Sequence, residues 1–394
     1  RADTACCKKE TRAISNGLSR GSLPWRAVTI GGRRMTLEGT HPAHVTKAIA
    51  AFGQRCKWRE AVEVVGRLHG ESIELNVISR NAAINACRRG RQWRAALRAV
   101  VEGGIGHLCD AMGCNAAVSA CAREERWELA LGLFLGTQAG GLEADLVGHN
   151  AAISALERGG QWRWACLELA SMRQRGLPPD IVAYGAARSA CAKDGLWQEA
   201  LDLIAAMESC GVEPDLIALN TAISACEKGG QPARALLVLA DMQRRDLQSD
   251  LISYNALTSA FEKGTQWQMA LRTLSQAQAR GVESDVISFN AAISAHEKGR
   301  AWRHALRVWS EMERRGVEPS MVGRGAAVSA FEKGQQWERA MSFVSEAWRR
   351  RVRLNVVTHS AAISACVKGL QRDQALELLQ EMQQSRVSAD VISQ

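Results

Sequence analysis

The sequence predicts an all-α chain, a right-handed superhelical α-solenoid of about ten helix-turn-helix repeats, and three observations predict it. A 35-residue phrase recurs from Pro42 to Asp390, most plainly as DVISFNAAISAHEKG (Asp285 to Gly299) and DLIALNTAISACEKG (Asp215 to Gly229). Alanine returns at Ala61, Ala96, Ala130, Ala165, Ala200, Ala235, Ala270, Ala305, Ala340 and Ala375, every step being 35 residues except one of 34. Tryptophan keeps the same interval at Trp58, Trp93, Trp127, Trp162, Trp197, Trp267, Trp302 and Trp337. A fixed period in this range means stacked units, each too small to bury its own apolar face, so that neighbours supply the other half of the core.

The units read 42–76, 77–110, 111–145, 146–180, 181–215, 216–250, 251–285, 286–320, 321–355 and 356–390. Residues 1–41 form a non-repeat segment, read as fragmentary or weakly ordered, and 391–394 (VISQ) read as the start of a truncated next repeat. Both termini are therefore read as cut. In the unit Val286 to Ser320, Phe289, Ile293 and His296 recur at helical spacing and define a first helix. Gly299 is read as its break. A second helix runs from Trp302 through Met312, with Trp302, Ala305, Leu306 and Trp309 on one side, and Gly316 and Pro319 end it. The recurrent alanine marks a close helix–helix approach. The tryptophan offers a large apolar area to the next unit, and packing there outweighs base stacking.

Composition narrows the class. Charged residues make up 23% and hydrophobic residues 46%, as in a folded protein. No run of 18 or more apolar residues occurs, so no membrane span is expected. The net charge of +9 favours a polyanionic partner. Among twelve cysteines, Cys87, Cys121, Cys191, Cys226 and Cys366 share the eleventh position of their units with Phe52, Leu156, Phe261, His296 and Phe331. A slot shared by Cys, Phe and Leu is a core position. No CxxC pair exists, so no metal is assigned; a redox or metal role for the adjacent Cys6 and Cys7 is the minor reading. Unpaired cysteines in this number point to a reducing compartment.

LISYNALTSAFEKG (Leu251 to Gly264) and DIVAYGAARSACAKDG (Asp180 to Gly195), with closing halves MESCGVEPD (Met207 to Asp215) and MERRGVEPS (Met312 to Ser320), resemble the pentatricopeptide repeat. The resemblance covers about nine-tenths of the chain and is of the pure 35-residue-repeat (P-type) class; the first two units are degraded. It implies one-repeat-per-base binding of single-stranded RNA, with the fifth and last positions of a unit jointly selecting the base. The fifth-position residues are Thr46, Asn81, Asn115, Asn150, Gly185, Asn220, Asn255, Asn290, Gly325 and Ser360. The last-position residues are Asn76, Asp110, Asp145, Asp180, Asp215, Asp250, Asp285, Ser320, Asn355 and Asp390. The family's second position sandwiches the base, here Ile78, Val147, Val182, Ile217, Ile252, Ile287, Val322 and Val357, with Ala43 and Met112 less typical. An asparagine amide carries both donor and acceptor and suits a base edge. Asn, Asp and Ser near helix starts also serve as caps. Base reading outweighs capping alone, because Asn alternates with Gly, Thr and Ser in a constant frame, and the two roles coexist.

The family's pairing preferences, with the protein N-terminus toward the RNA 5′ end, imply a site resembling 5′-AUUU-N-UUC-N-G-3′, with Gly185 and Gly325 leaving blank units. The thirteenth position is basic in nine units: Arg89, Arg123, Arg158, Lys193, Lys228, Lys263, Lys298, Lys333 and Lys368. These are read as phosphate contacts; if about six engage, log affinity falls against log salt with a slope of roughly −4. The competing reading is a basic residue answering the helix dipole.

No HxE with a downstream CxxC, Walker A loop or HExxH occurs, so no catalysis and no cofactor are assigned. His149 and His359 share the fourth position with Tyr184, Tyr254 and Phe289 and read as packing. The resemblance implies action on organellar transcripts, in stability, processing or translation, in a chloroplast or mitochondrion. A protein–protein interaction scaffold of the tetratricopeptide kind is the alternative, and an enzyme whose catalytic domain follows Gln394 is a third reading.

Overall fold

The computed structural model describes residues 27–30, 33–36, 49, 51–52, 58–70, 77–103, 110–349 and 354–384. In chain order its helices are α1 (Trp58–Gly70), α2 (Val77–Arg89), α3 (Trp93–Gly103), α4 (Ala111–Arg123), α5 (Trp127–Ala139), α6 (Leu146–Arg158), α7 (Trp162–Gln174), α8 (Ile181–Lys193), α9 (Trp197–Ser209) and α10 (Leu216–Lys228). They continue as α11 (Pro232–Arg244), α12 (Leu251–Lys263), α13 (Trp267–Ala279), α14 (Val286–Lys298), α15 (Trp302–Arg314), α16 (Met321–Lys333), α17 (Trp337–Arg349), α18 (Val356–Lys368) and α19 (Arg372–Gln384). Even-numbered helices open a unit and odd-numbered helices close it. The architecture is an all-α helical repeat solenoid in the register that the alanine and tryptophan intervals set.

One element departs from that reading. Ala27–Ile30 (β1) and Arg33–Thr36 (β2) pair antiparallel, Ala27 opposite Thr36 and Ile30 opposite Arg33, inside the segment expected to be weakly ordered. The chain divides into two compact units, residues 1–151 and 152–394. The first contains the hairpin and the helices through the start of α6, and the second contains the rest. The repeats were read as one array; where each repeat touches only its neighbours, no single core unites them all.

Every first helix from α4 on begins on a cap. The side chains of Asp110, Asp180, Asp215, Asp250, Asp285, Ser320 and Asn355 accept the backbone N–H three residues on, satisfying one of the donors that a helix start leaves open. The second helices end on a left-handed residue, as at Gly316 (φ 69°), where the Val317 N–H returns to the Met312 carbonyl at 3.1 Å.

The other glycine works differently. Gly299 ends α14 at φ −79°, an ordinary conformation, and the left-handed residue is Arg300 (φ 54°). What requires glycine there is room: a β-carbon on Gly299 would run into the Trp267 ring. Gly90, Gly229, Gly334 and Gly369 stand in the same relation to Trp58, Trp197, Trp302 and Trp337, one unit earlier. Each of these tryptophans thus packs on the first helix of the next unit, and Pro232 takes that place against Gly264. Arginines cover several of the indoles: Arg303 and Arg339 lie 5.3 and 4.6 Å from the Trp302 ring centroid.

All ten recurrent alanines are buried. From Ile204 to Ala295 one apolar cluster runs through α9 to α14 and takes in Ala235, Ala270, Cys226 and Phe261. The eleventh-position cysteines Cys87, Cys121, Cys191, Cys226 and Cys366 are buried and unpaired. Burial pushes the thiols of Cys87, Cys121 and Cys226 up to about 11, so they remain protonated and act as small apolar groups. His149 and His359 are likewise buried, His149 edge-on to Phe134 with centroids 5.1 Å apart.

Candidate functional site

The first helices carry a ladder of polar pairs. Asn81 Nδ2 donates to Asp110 Oδ1 at 2.7 Å, Asn115 to Asp145 at 2.7 Å, Asn220 to Asp250 at 3.0 Å and Asn255 to Asp285 at 3.1 Å. Asn290 donates to Ser320 Oγ at 2.7 Å. The fifth and last positions of a unit, about 30 residues apart in sequence, are thereby neighbours. Capping accounts for the last position only: Asn220 and its counterparts sit inside their helices, too far along to cap them, and point at the next helix's cap. The acceptor is shared, since Asp250 Oδ1 also takes the Ser253 N–H at 2.9 Å and lies 2.8 Å from the Ser253 hydroxyl. Burial alone would raise the Asp250 carboxyl, but the Ser253 amide and hydroxyl and the Asn220 amide outweigh it and hold the group below the usual carboxylate range.

Beside the ladder runs a row of aliphatic side chains left in solvent. Ile78, Val147, Val182, Ile217, Ile252, Ile287, Val322 and Val357 are each 57–71% exposed, and Met112 is 64% exposed. Single exposed aliphatics are ordinary, but one at the same position of every first helix is a repeated surface feature. Chemically, the Asn81, Asn115, Asn220 and Asn255 steps each offer an amide and a carboxylate for hydrogen bonds, and the Asn290 step an amide and a hydroxyl, flanked by apolar side chains.

The remaining ladder positions differ. Asn150 and Ser360 occupy the fifth position of α6 and α18. Asp180 caps α8, its Oδ1 accepting the Ala183 N–H at 2.9 Å. Thr46, Asn76 and Asp390 lie outside the described residues. A β-carbon at Gly185 would meet nothing within 4 Å, so that unit has an open space above Asp215. In the same helix Arg188 fills the eighth position, where Ile84, Ile153, Ile223, Ile293 and Ile363 sit in other units. Arg188 is 2% exposed with Nε and Nη1 unpartnered. Burial lowers its affinity for the proton while the Asp215 carboxylate partly restores it.

The basic row has partners of its own. Lys193, Lys263, Lys298, Lys333 and Lys368 form ion pairs with Glu157, Glu227, Glu262, Glu297 and Glu332, the twelfth residue of the preceding unit, at 2.7–3.0 Å. These five lysines therefore add no net charge, which the reading of nine phosphate contacts did not take into account. Lys228 faces the Lys193 carbonyl at 3.5 Å, because Ala192 stands where the glutamate would be. The glutamate at the twelfth position was the available signal. Equally visible and unread was the third position, where the Ser253 and Ser288 hydroxyls lie between the fifth-position Asn Oδ1 and the capping Asp Oδ1, either of which can take the one proton.

Among the described residues no group of three His, Cys, Asp or Glu could hold a metal ion, and no helix is long and apolar enough to cross a membrane.

Helix pairs of 35 residues whose fifth and last positions meet define a helical-repeat protein of the pentatricopeptide kind. A model of the pentatricopeptide repeat domain matches residues 169–231, 237–295, 272–324 and 342–393, more than half of the chain, and a PPR repeat model matches 217–247. The chain belongs to the pentatricopeptide repeat family. It is similar in structure to the pentatricopeptide repeat protein PPR10 from maize (TM-score 0.67, 20% identity, 98% of this chain and 60% of that one). It is also similar to PPR10 in complex with an 18-nt psaJ RNA element (TM-score 0.52, 19% identity, 87% of this chain and 56% of that one). At these identities the likeness establishes the fold, and the chain spans about 60% of PPR10's length. No curated protein matches the chain significantly.

Proposed function

We propose that the protein is a sequence-selective single-stranded RNA-binding protein without catalysis of its own, taking one base per repeat. The observation that carries this reading is the repeated pairing of a fifth-position Asn with the last-position Asp or Ser, beside a row of exposed aliphatics. An extruded base slots between successive aliphatics and meets the amide–carboxylate edge. The relative PPR10 has been solved with an 18-nt RNA element, which supports the same ligand class here. The preferred site is 5′-AUUU-N-UUC-N-G-3′, and the array acts by occluding a tract of an organellar transcript, in a chloroplast or mitochondrion, so altering its stability, processing or translation. Gel-shift titration with that oligomer and a purine-swapped version tests the reading: equal affinity for both overturns it. The double variant Asn220→Ala, Asn255→Ala should keep the fold and lose uridine preference at the sixth and seventh nucleotides. Imaging of the full-length protein fused to a fluorescent tag tests the compartment.

A further inference from the structure

Two thiols face each other across the joint between the units 146–180 and 181–215. The residue after the recurrent alanine is leucine in seven units, valine or methionine in two, and cysteine only at Cys166. That position packs beside the eleventh position of the next unit. Leu201 lies against the cluster that holds Cys226, and Cys166 lies against the cluster of Cys191, Ala192, Ala200 and Ala225. At no other joint of the ten units does this frame place cysteine on both sides. Cys166 on α7 is half-buried, whereas Cys191 on α8 is fully buried. The Cys191 S–H donates to the Cys166 sulfur, which puts the two within hydrogen-bonding reach. That bond holds the Cys166 thiol below its ordinary value, although burial and the Glu199 carboxylate work against ionisation. The same bond pushes the Cys191 thiol up, and burial and the neighbouring Cys166, Glu199 and Asp194 add to it. The sulfur nearer solvent is thus the one that ionises, and the buried sulfur keeps its proton.

We propose that Cys166 and Cys191 form a thiol oxidation site, a dithiol that hydrogen peroxide converts to a disulfide and a dithiol reductant restores. Cys166 attacks one peroxide oxygen as the thiolate. The O–O bond breaks, and the leaving hydroxide takes up the proton that Cys166 released, giving Cys166 sulfenic acid and one water. The Cys191 sulfur then attacks the sulfenic sulfur. The S–O bond breaks, and the Cys191 proton departs with that oxygen as a second water. The two thiols together lose two electrons and two protons to one peroxide. On reduction a dithiol returns them and is itself oxidised to its disulfide. Packed helices with axes about 8–10 Å apart bring facing Cα atoms into the range of roughly 4.4–6.8 Å that a disulfide spans. In a stack held together joint by joint, the bond ties α7 to α8 covalently and removes that joint from local opening. The inference is independent of base reading, since it uses neither the fifth nor the last position of a unit.

The test exposes the reduced full chain to hydrogen peroxide, blocks the remaining thiols and maps tryptic peptides without reduction. Peptide 164–173 should be joined to peptide 189–193, lighter by two hydrogens than their sum, and dithiothreitol should release both. A chain unfolded in urea before the peroxide is the reference, in which this pair should be lost among other combinations of cysteines. Cys166→Leu installs the residue of the sister repeats, so it should keep the melting temperature of the reduced wild type and leave 189–193 unjoined after peroxide. Absence of the joined peptide from the folded wild type overturns the proposal, as does oxidation of Cys166 to sulfinic acid while Cys191 stays a thiol. It is overturned equally by a joined peptide as abundant in the unfolded reference, or by 189–193 joined to another cysteine in Cys166→Leu.

Discussion

Gly229 and Trp197 touch so closely that a β-carbon on the glycine would lie 2.5 Å from the indole Cδ1 and 2.7 Å from the Gly195 carbonyl oxygen. The glycine has φ −75°, so alanine there meets no backbone penalty, only the wall of the preceding unit. Gly229→Ala should destabilise the protein by about 1–3 kcal/mol in denaturant unfolding. Gly132→Ala, where a β-carbon meets nothing within 4 Å, is the control and should be neutral or stabilise by about 0.5–1 kcal/mol.

Arg188 holds a charge in a position that its sister repeats, Thr258 excepted, fill with an aliphatic side chain. Two of its nitrogens are buried without partners. Replacing a buried, poorly compensated ion with an apolar side chain often stabilises, by about 1–4 kcal/mol. Arg188→Ile should therefore raise the melting temperature. A lower melting temperature would show that the Asp215 carboxylate compensates the guanidinium fully.

His296 occupies the eleventh-position slot that Phe261 and Phe331 fill elsewhere, and it is fully buried, with Nδ1 2.5 Å from the Ala292 carbonyl oxygen. Burial, aided by the nearby His304, lowers its affinity for the proton, so between its folded value and the unfolded value near 6.5 the unfolded chain binds more protons. Stability should thus fall as the pH drops below about 6.5. His296→Phe should remove that part of the pH dependence in thermal melts between pH 5 and 7.5, while the wild type keeps it.

The lysine–glutamate ladder sets the salt dependence of RNA binding. With five of the nine basic residues neutralised by glutamates, fewer cations are left for phosphates, and the slope of log affinity against log salt should be shallower than about −4. Glu227→Gln with Glu297→Gln releases Lys263 and Lys333 and should steepen the slope by about 1. An unchanged slope assigns those lysines to holding repeats together and nothing more.

Much of this architecture was legible as periodicity. The alanine and tryptophan intervals keep step with the described helix pairs because packing between similar units imposes similar demands. The cysteine slot was legible for the same reason. The hairpin at Ala27–Thr36 was not, since it lies outside the period and offers no repeated context. The reading pairs were reachable only through the resemblance: nothing in the spacing of Asn220 and Asp250 reveals that a helix turn brings them to 3.0 Å. Gly299 does end α14, but what demands glycine there is lack of bulk and not conformational freedom, two uses that look alike in a sequence. Lys298 looked like a free cation because its partner, Glu262, sits 36 residues away in the preceding repeat.

The doubled duty of the last-position side chain limits how such a protein changes its target. The oxygen that anchors Asn220 is the same atom that starts α12, so any new letter at position 250 must also begin a helix. Among the described units the position holds Asp, Ser or Asn, all strong caps. A lysine or leucine there would leave a helix start open, costing about 0.5–2 kcal/mol, whatever it did for recognition. The alphabet available for choosing a nucleotide is thus narrowed in advance by the need to fold, and diversification is freer at the fifth position, where Asn, Gly, Thr and Ser are all found.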